Sequence, residues 1–278
     1  MNKNLIIIII ISLTAFNLPA QTNLRWQAAY ADSLFASAQY FDAITEYKRL
    51  LFFDKENKYS FSGNYKIGLS YKKGGKFDDA IKYFRLAEKN AKRDSGKLKA
   101  KFQIIRTNIL RGTTEIALNH LRQLAKELND ALSLKKIRYW KGWAFMFSDK
   151  WDSAKAEFTR INPNHELIKI CDNVINQKYS VTFAKLFSYI LPGAGQFYTG
   201  HYLSGLMSLG MNVLWGYFTV KAFIADRVFD GIVTGNLLWF RFYRGNFQNA
   251  EKFALQKNIE IANEALRKIQ LEYKGEKP

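Results

Sequence analysis

The chain has a single cysteine, Cys171, among 278 residues, so neither a disulfide framework nor a multi-thiolate metal site can be built from it. A lone thiol of this kind is expected to be buried and inert. The three histidines, His120, His165 and His201, lie far apart and share no metal-ligand spacing, His120 reading as a helix-surface residue. HExxH, CxxC and a GxSxG elbow are all missing, as is any pair of carboxylates in a recognisable setting. The expectation is a protein that is not an enzyme and that has no catalytic residues, no cofactor and no metal. Acidic residues are scarce as well, 24 against 42 Lys and Arg, a formal charge of 42 − 24 = +18. Between Ala91 and Trp140 there are 12 basic and 4 acidic residues, a balance that suits anionic partners or a solvated basic surface.

Apolar and aromatic residues are plentiful. At 48% hydrophobic, the chain holds enough core for one large or two ordinary domains. Its 22 Phe, 15 Tyr and 6 Trp exceed what a soluble domain needs and point to lipid or a partner. The first twenty residues stand apart: Lys3 gives a positive start, Leu5 to Phe16 is an apolar run with six consecutive isoleucines, and Leu18-Pro-Ala20 precedes Gln21. This is the build of a secretory signal peptide cleaved after Ala20, with an uncleaved anchor as the alternative because Leu18 is large for that site. Export makes nucleic acid an unsuitable partner.

From Asn23 to about Asn176 apolar residues recur at helical spacing with few breakers. Four stretches align: QYFDAITEYKRLL (Gln39 to Leu51), KFDDAIKYFRLAE (Lys76 to Glu88), GTTEIALNHLRQLA (Gly112 to Ala125) and KWDSAKAEFTRI (Lys150 to Ile161). Their small residues Ala43, Ala80, Ala117 and Ala154 follow one another at intervals of 37. In the same register lie Tyr47, Phe84, Leu121 and Phe158, then Leu50, Ala87, Leu124 and Ile161, and, on the preceding helices, Ala31, Gly68, Ile105 and Gly142. Small residues let paired helices approach and bulky ones fill the gap, the signature of stacked helical hairpins.

On these residues the stretch from about 24 to 175 resembles the tetratricopeptide repeat. The best unit, NYKIGLSYKKGGKFDDAIKYFRLAEKN, places Gly68, Tyr71, Gly75, Ala80, Phe84 and Ala87 at the family's marker positions. Ile105 departs from the family's glycine, the period is 37 rather than 34, and the closing proline is mostly absent. The resemblance implies a right-handed array whose concave face binds a protein or peptide. On first-helix faces the candidates for that contact are Asn64, Lys66, Arg106, Arg138 and Lys141. The basic stretch Lys97, Lys99, Lys101, Arg106 and Arg111 is either a docking stripe or a solvated helix face.

Further on, LPGAGQFYTGHYLSG (Leu191 to Gly205) carries four glycines and a proline and no charge. Gly193, Gly195 and Gly200 read GxGxxxxG, and Gly200-His201-Tyr202 stands where a Walker loop needs GK[ST], so phosphate binding fails. A sorting signal resembling LPxTG fails on Ala194. A membrane segment fits better: Tyr202 to Ile224 is 23 residues with one charge, Lys221. Val228 to Tyr243 is a weaker return arm in which Asp230 and Asn236 need partners such as Asn212. Phe183 to Tyr198 is a third apolar patch that turns at Pro192, with Tyr198 and Tyr202 as interfacial anchors. The order PGAGQFYTG, apolar hairpin, RFYRGNFQNA (Arg241 to Ala250) resembles the C-terminal membrane segment of a group of bacterial envelope proteins and, more distantly, the small two-transmembrane-helix hairpin domain. That resemblance implies a membrane hairpin and no chemistry.

The expected architecture is all-α: signal peptide 1–20, helical-hairpin repeats 21–176, a Gly-rich hydrophobic hairpin 177–246, and an amphipathic helix and tail 247–278 with Phe253, Ile259, Ile261, Leu266, Ile269 and Leu271 as its apolar set. The functional expectation is an exported scaffold with periplasmic repeats, a protein or peptide in the repeat groove and membrane lipid along residues 185–245. The alternative is a membrane-active component whose hairpin forms a homo-oligomer and assists transport or membrane-protein assembly. The basic residues Lys178, Lys185, Arg241 and Arg244 would lie outside a fully inserted hairpin, against the positive-inside tendency, which favours partial or interfacial insertion.

Overall fold

The structure, a computed structural model, describes residues 24–278. The signal peptide expected over residues 1–20 lies outside the described residues. Among these, every regular element is helical, and the chain divides into two compact units, one ending at Ser148 and the other covering Asp149–Lys277.

The first unit comprises α1 (Leu24–Ala36), α2 (Tyr40–Phe53), α3 (Ser60–Lys73), α4 (Phe77–Asn90), α5 (Asp94–Leu110), α6 (Thr114–Glu127) and α7 (Ala131–Phe147), each packed on the next. The sequence period reappears in the backbone. Ala38, Gly75, Gly112 and Asp149 recur every 37 residues, and all four sit in the left-handed region, with φ of 60°, 73°, 80° and 61°. Such a residue ends a helix by turning the chain so that the next amide reaches back to an unsatisfied carbonyl. Gln39 N–H accordingly bonds Leu34 C=O at 2.9 Å, Lys76 bonds Tyr71 at 2.9 Å and Thr113 bonds Asn108 at 3.0 Å. The second helix of each pair starts just after, at Tyr40, Phe77, Thr114 and Trp151.

The register positions form the core. Ala43, Ala80, Ala117 and Ala154 are fully buried, as are Ala31, Ile105, Phe84, Leu121 and Phe158. Gly68 shows why one position is small: a Cβ there would lie 2.7 Å from the Phe84 ring. In the next repeat Ile105 replaces the glycine, and Leu121 replaces the ring, so volume moves from one helix to its neighbour while the pair stays close-packed.

The second unit contains α8 (Trp151–Thr159), α9 (Glu166–Gln177), α10 (Val181–Ile190), α11 (Ala194–Tyr198), α12 (Tyr202–Ile224), α13 (Val228–Val233), a π-helical segment (Thr234–Trp239) and α14 (Phe240–Glu272). The last three run without a break, so the expected return arm and the expected separate C-terminal helix are one rod. α14 packs on α9, α10, α11 and α12. Its buried stripe is Asn246, Ala250, Ala254, Ala262 and Ile269. Of the apolar set expected from the sequence, Ile269 alone is buried, while Ile259 and Leu271 are exposed. Close neighbours select small side chains on α14, and bulk is left for the outer face.

α12 keeps the boundaries expected of it, and at 23 residues it is about 34 Å long. Its glycines, Asn212, Thr219 and Lys221 hold down its mean hydropathy, and no helix among the described residues is long and apolar enough to cross a membrane.

Candidate functional site

The two short motifs of the second unit meet. Leu191 ends α10, Pro192 follows, and Gly193 takes a φ of 92° that opens α11. A Cβ on Gly193 would collide with the Gly205 carbonyl of α12. One on Gly195 would collide with the Ala184 carbonyl of α10 and lie 2.5 Å from Ala250 Cβ of α14. The glycines of PGAGQFYTG are therefore points of close approach to three helices at once. Gly200, with φ of 79°, ends α11, and His201 N–H bonds Gln196 C=O at 2.8 Å.

Polar side chains fill the space the glycines create. Asn246, in RFYRGNFQNA, is the hub: its Oδ1 accepts from Gly193 N at 2.8 Å, Ser208 Oγ at 2.9 Å and Gln196 Nε2 at 3.2 Å, and its Nδ2 donates to Ser188 C=O at 2.6 Å. Gln196 Nε2 also donates to the Asn246 carbonyl at 2.9 Å, and Gly195 N donates to Ser188 Oγ at 2.9 Å. Asn246, Gln196 and Ser188 are buried, and the network ties α10, α11, α12 and α14 together. Nearby, Asn258 grips the backbone of Tyr179, accepting from its N–H at 2.8 Å and donating to its C=O at 2.9 Å.

Around this polar centre the large apolar side chains face outward. Most of the exposed large hydrophobics lie between Phe183 and Phe240, among them Ile190, Leu203, Leu206, Val213, Ile224 and Phe229. Charges are sparse there. Asp230 pairs with Arg227 at 3.7 Å, near the chain reversal between α12 and α13, and Lys221 lies over the Tyr217 ring. Inside the α12–α13 pair the glycines again mark contact, Gly231 against Phe223, Gly235 against Thr219 and Gly216 against Trp239, whereas Gly210 faces open space.

An open groove of about 890 Å³ runs between α12 and α14. Tyr202, Leu203, Met207 and Met211 line one wall, and Arg241 and Asn249 stand on the other. A second groove of about 560 Å³ shares Arg241 and adds Asn236, Arg244 and Gln248. His201 lines the larger groove and stacks on Phe253 with ring centroids 3.9 Å apart.

The expected site residues make the following contacts within the chain. Asn64 is buried and donates to Ser60 C=O at 2.6 Å, so it does not reach a groove. Lys66 pairs with Asp32 at 3.2 Å and lies over the Phe35 ring, its side chain half-exposed. Arg106 stacks on Trp140 at 4.7 Å. Arg138 and Lys141 are half-buried on α7. In the basic stretch, Lys97 pairs with Asp94, Lys101 with Glu127 and Arg111 with Asp78, all through solvent-exposed carboxylates. Asp230, Asn236 and Asn212 are not brought together: Asn212 donates to Ser208 C=O at 2.8 Å within its own helix, and Asn236 is exposed. The helix-surface reading of His120 also needs amendment, since the ring is half-buried beside Glu88 and Lys101. Cys171 is fully buried, and burial pushes its thiol up to about 12, so it is protonated and unreactive. Asn246, Gln196 and Ser188 escaped notice in the sequence, where a lone amide in an amphipathic stretch carries no periodic signal. No protein-family model matches the chain, and no curated protein matches it.

Proposed function

We propose that the chain is an exported, membrane-associated scaffold that binds a protein or peptide through tetratricopeptide-like repeats and holds it beside the bilayer of the bacterial envelope. The observation that carries this reading is the burial pattern of residues 181–246 in the second unit, which surround an amide network and leave large aliphatic and aromatic side chains exposed. In water such a surface is unfavourable at roughly 25 cal/mol for each Å² of apolar area left exposed, whereas acyl chains remove the penalty. Export rests on the signal peptide read over residues 1–20, and partner binding on the 37-residue register with its four left-handed turns. Because α12 lacks the apolarity for crossing, the membrane contact is interfacial or partly inserted, with Lys185, Arg241 and Arg244 at headgroup level. Gly193, Gly195, Gly205, Gly216, Gly231 and Gly235 are taken up by contacts within the chain and Gly210 alone on α12 is left open, which supports an anchor over an oligomerising hairpin.

Vesicle flotation of the full chain tests the membrane half. The protein is expected to float with phosphatidylcholine vesicles, and Leu206→Lys with Val213→Lys, both on exposed positions, is expected to reduce the floating fraction about tenfold or more. Equal flotation of the double variant, or none by the wild type, overturns the reading. A protease-sensitive tag after Ser60, cleaved in cells only once the outer barrier is opened, is the expected result for periplasmic repeats.

A further inference from the structure

The groove between α12 and α14 joins two chemistries. One wall, Leu203, Met207 and Met211, is aliphatic and thioether and continues directly into the exposed face that carries Leu206. The other begins at Arg241, where the larger and smaller grooves meet, with Arg244 one turn further along α14. Both arginines are exposed, and among the described residues neither forms an ion pair. The acids nearest in sequence are committed elsewhere, Asp230 to Arg227 and Glu251 to Lys185. A guanidinium without a carboxylate, at the end of an apolar channel, suits a phosphate attached to a hydrocarbon chain, because its planar fork takes two phosphate oxygens at once. The floor is also empty: a Cβ on Gly245 would meet nothing within 4 Å. At about 890 Å³ the groove is large enough for a substantial part of one acyl chain and its glycerol linkage.

We infer that this groove seats one anionic phospholipid of the bilayer, its phosphate on Arg241 and Arg244 and one acyl chain along Leu203, Met207 and Met211. The inference rests on the membrane association proposed above and adds a stoichiometric, headgroup-selective site to it. Selection for negative charge follows from the two unpaired arginines, and selection for a lipid rather than a soluble anion follows from the thioether wall.

The experiment uses the full chain purified in detergent, equilibrated with equal amounts of phosphatidylglycerol and phosphatidylcholine and read by native mass spectrometry, with vesicle flotation in parallel. One phosphatidylglycerol per chain is expected, preferred about thirty-fold over phosphatidylcholine. Arg241→Gln with Arg244→Gln should remove the preference. Gly245→Leu, which fills the floor at a helical position that favours leucine over glycine, should remove the bound lipid altogether. The Gly245→Leu variant should still float with phosphatidylcholine vesicles, since the exposed apolar face is intact. Retention of phosphatidylglycerol at wild-type level by both variants, or no preference in the wild type, overturns the site while leaving the membrane reading in place. A dimer mass without lipid assigns the groove to a second copy and overturns it as well. Failure of the wild type to float with any vesicle overturns both readings.

Discussion

The first unit and the 181–246 stretch of the second differ at their centres. In the first, the largest fully buried side chains are Trp140, Tyr47, Phe84, Ile67 and Ile105, with Gln103, Thr107 and Asn108 buried beside them. At the centre of the second, Asn246, Gln196, Ser188 and Thr199 are buried, while Leu203, Ile224 and Phe229 are left bare. Glycine is used differently too. In the repeats Gly75 and Gly112 serve turns and Gly68 makes room for a ring, whereas Gly193 and Gly195 let helix backbones touch around a hydrogen-bonded centre. A core of the first kind is held by exclusion of water, and one of the second kind by directional bonds that gain strength where water is absent.

The sharpest way to break this contrast is Asn246→Leu. It leaves Gly193 N–H, Ser208 Oγ and the Ser188 carbonyl without their partner, and the expected loss is about 3 kcal/mol or more at about 1–3 kcal/mol per orphaned buried group. Thermal unfolding of the full chain followed by near-UV circular dichroism should show the second unit melting first. Asn212→Leu is the control: Asn212 Oδ1 is already buried without a partner, so its removal should leave the midpoint within about 0.5 kcal/mol of wild type or above it. Equal losses in the two variants would mean that the amide network is not what holds the unit.

Next in size is the volume exchange of the first unit. Gly68→Ile drives a branched side chain into the Phe84 ring and should destabilise by about 3 kcal/mol. Adding Phe84→Leu recreates the Ile105–Leu121 combination of the following repeat and should recover at least about 1 kcal/mol in a double-mutant cycle read by urea denaturation. Additive losses would show that the repeats are not interchangeable in the way their register implies. Smaller still are the turns. Gly75→Ala, at φ of 73°, is expected to cost about 1 kcal/mol, and Ala38→Gly, at φ of 60°, to stabilise or leave stability unchanged. Two changes of the same sign would remove the turns as the common element of the period.

The smallest effect is electrostatic. Burial first, and then the Arg85 guanidinium, hold the His120 imidazole below its ordinary pKa of 6.5. The unfolded chain therefore takes up the proton before the folded one does, and stability falls as pH drops through 6.5 toward the folded value. Above that window the group contributes nothing to the slope. His120→Gln should flatten the pH dependence of the urea midpoint between pH 7 and 5, and an unchanged slope would discard the assignment.

Much of the repeat region was legible because its core obeys a period. Small residues at Ala43, Ala80, Ala117 and Ala154 recur with bulky partners four positions on, and that pattern survives even where Ile105 replaces a glycine. The turns were half legible: Gly75 and Gly112 advertise a left-handed backbone, but Ala38 and Asp149 adopt it without any residue-level sign. In the second unit the glycine motif and RFYRGNFQNA stood out as separate stretches. That they meet was invisible, since Gly193 and Asn246 are 53 residues apart and bond across the fold. The contacts that Asn64 and Lys66 make within the chain were hidden for a related reason. Periodicity assigns a face to each residue but not what the facing helix offers, and Asp32 with Phe35 claims Lys66.

α14 is pinned at three heights. Asn246 holds it to the glycine turn, Asn258 to the backbone of Tyr179, and just beyond its end the Tyr273 ring lies 6.5 Å from that of His165. At 1.5 Å per residue those clamps are roughly 18 and 22 Å apart along one continuous helix. A rod clamped at three stations resists bending and sliding far better than one held at its middle, so α14 acts as a strut of set length. Whatever depth Arg241 takes up at a surface, the level of α9 above it is thereby fixed, and lengthening the strut by two turns between Asn246 and Asn258 would raise that level by about 11 Å.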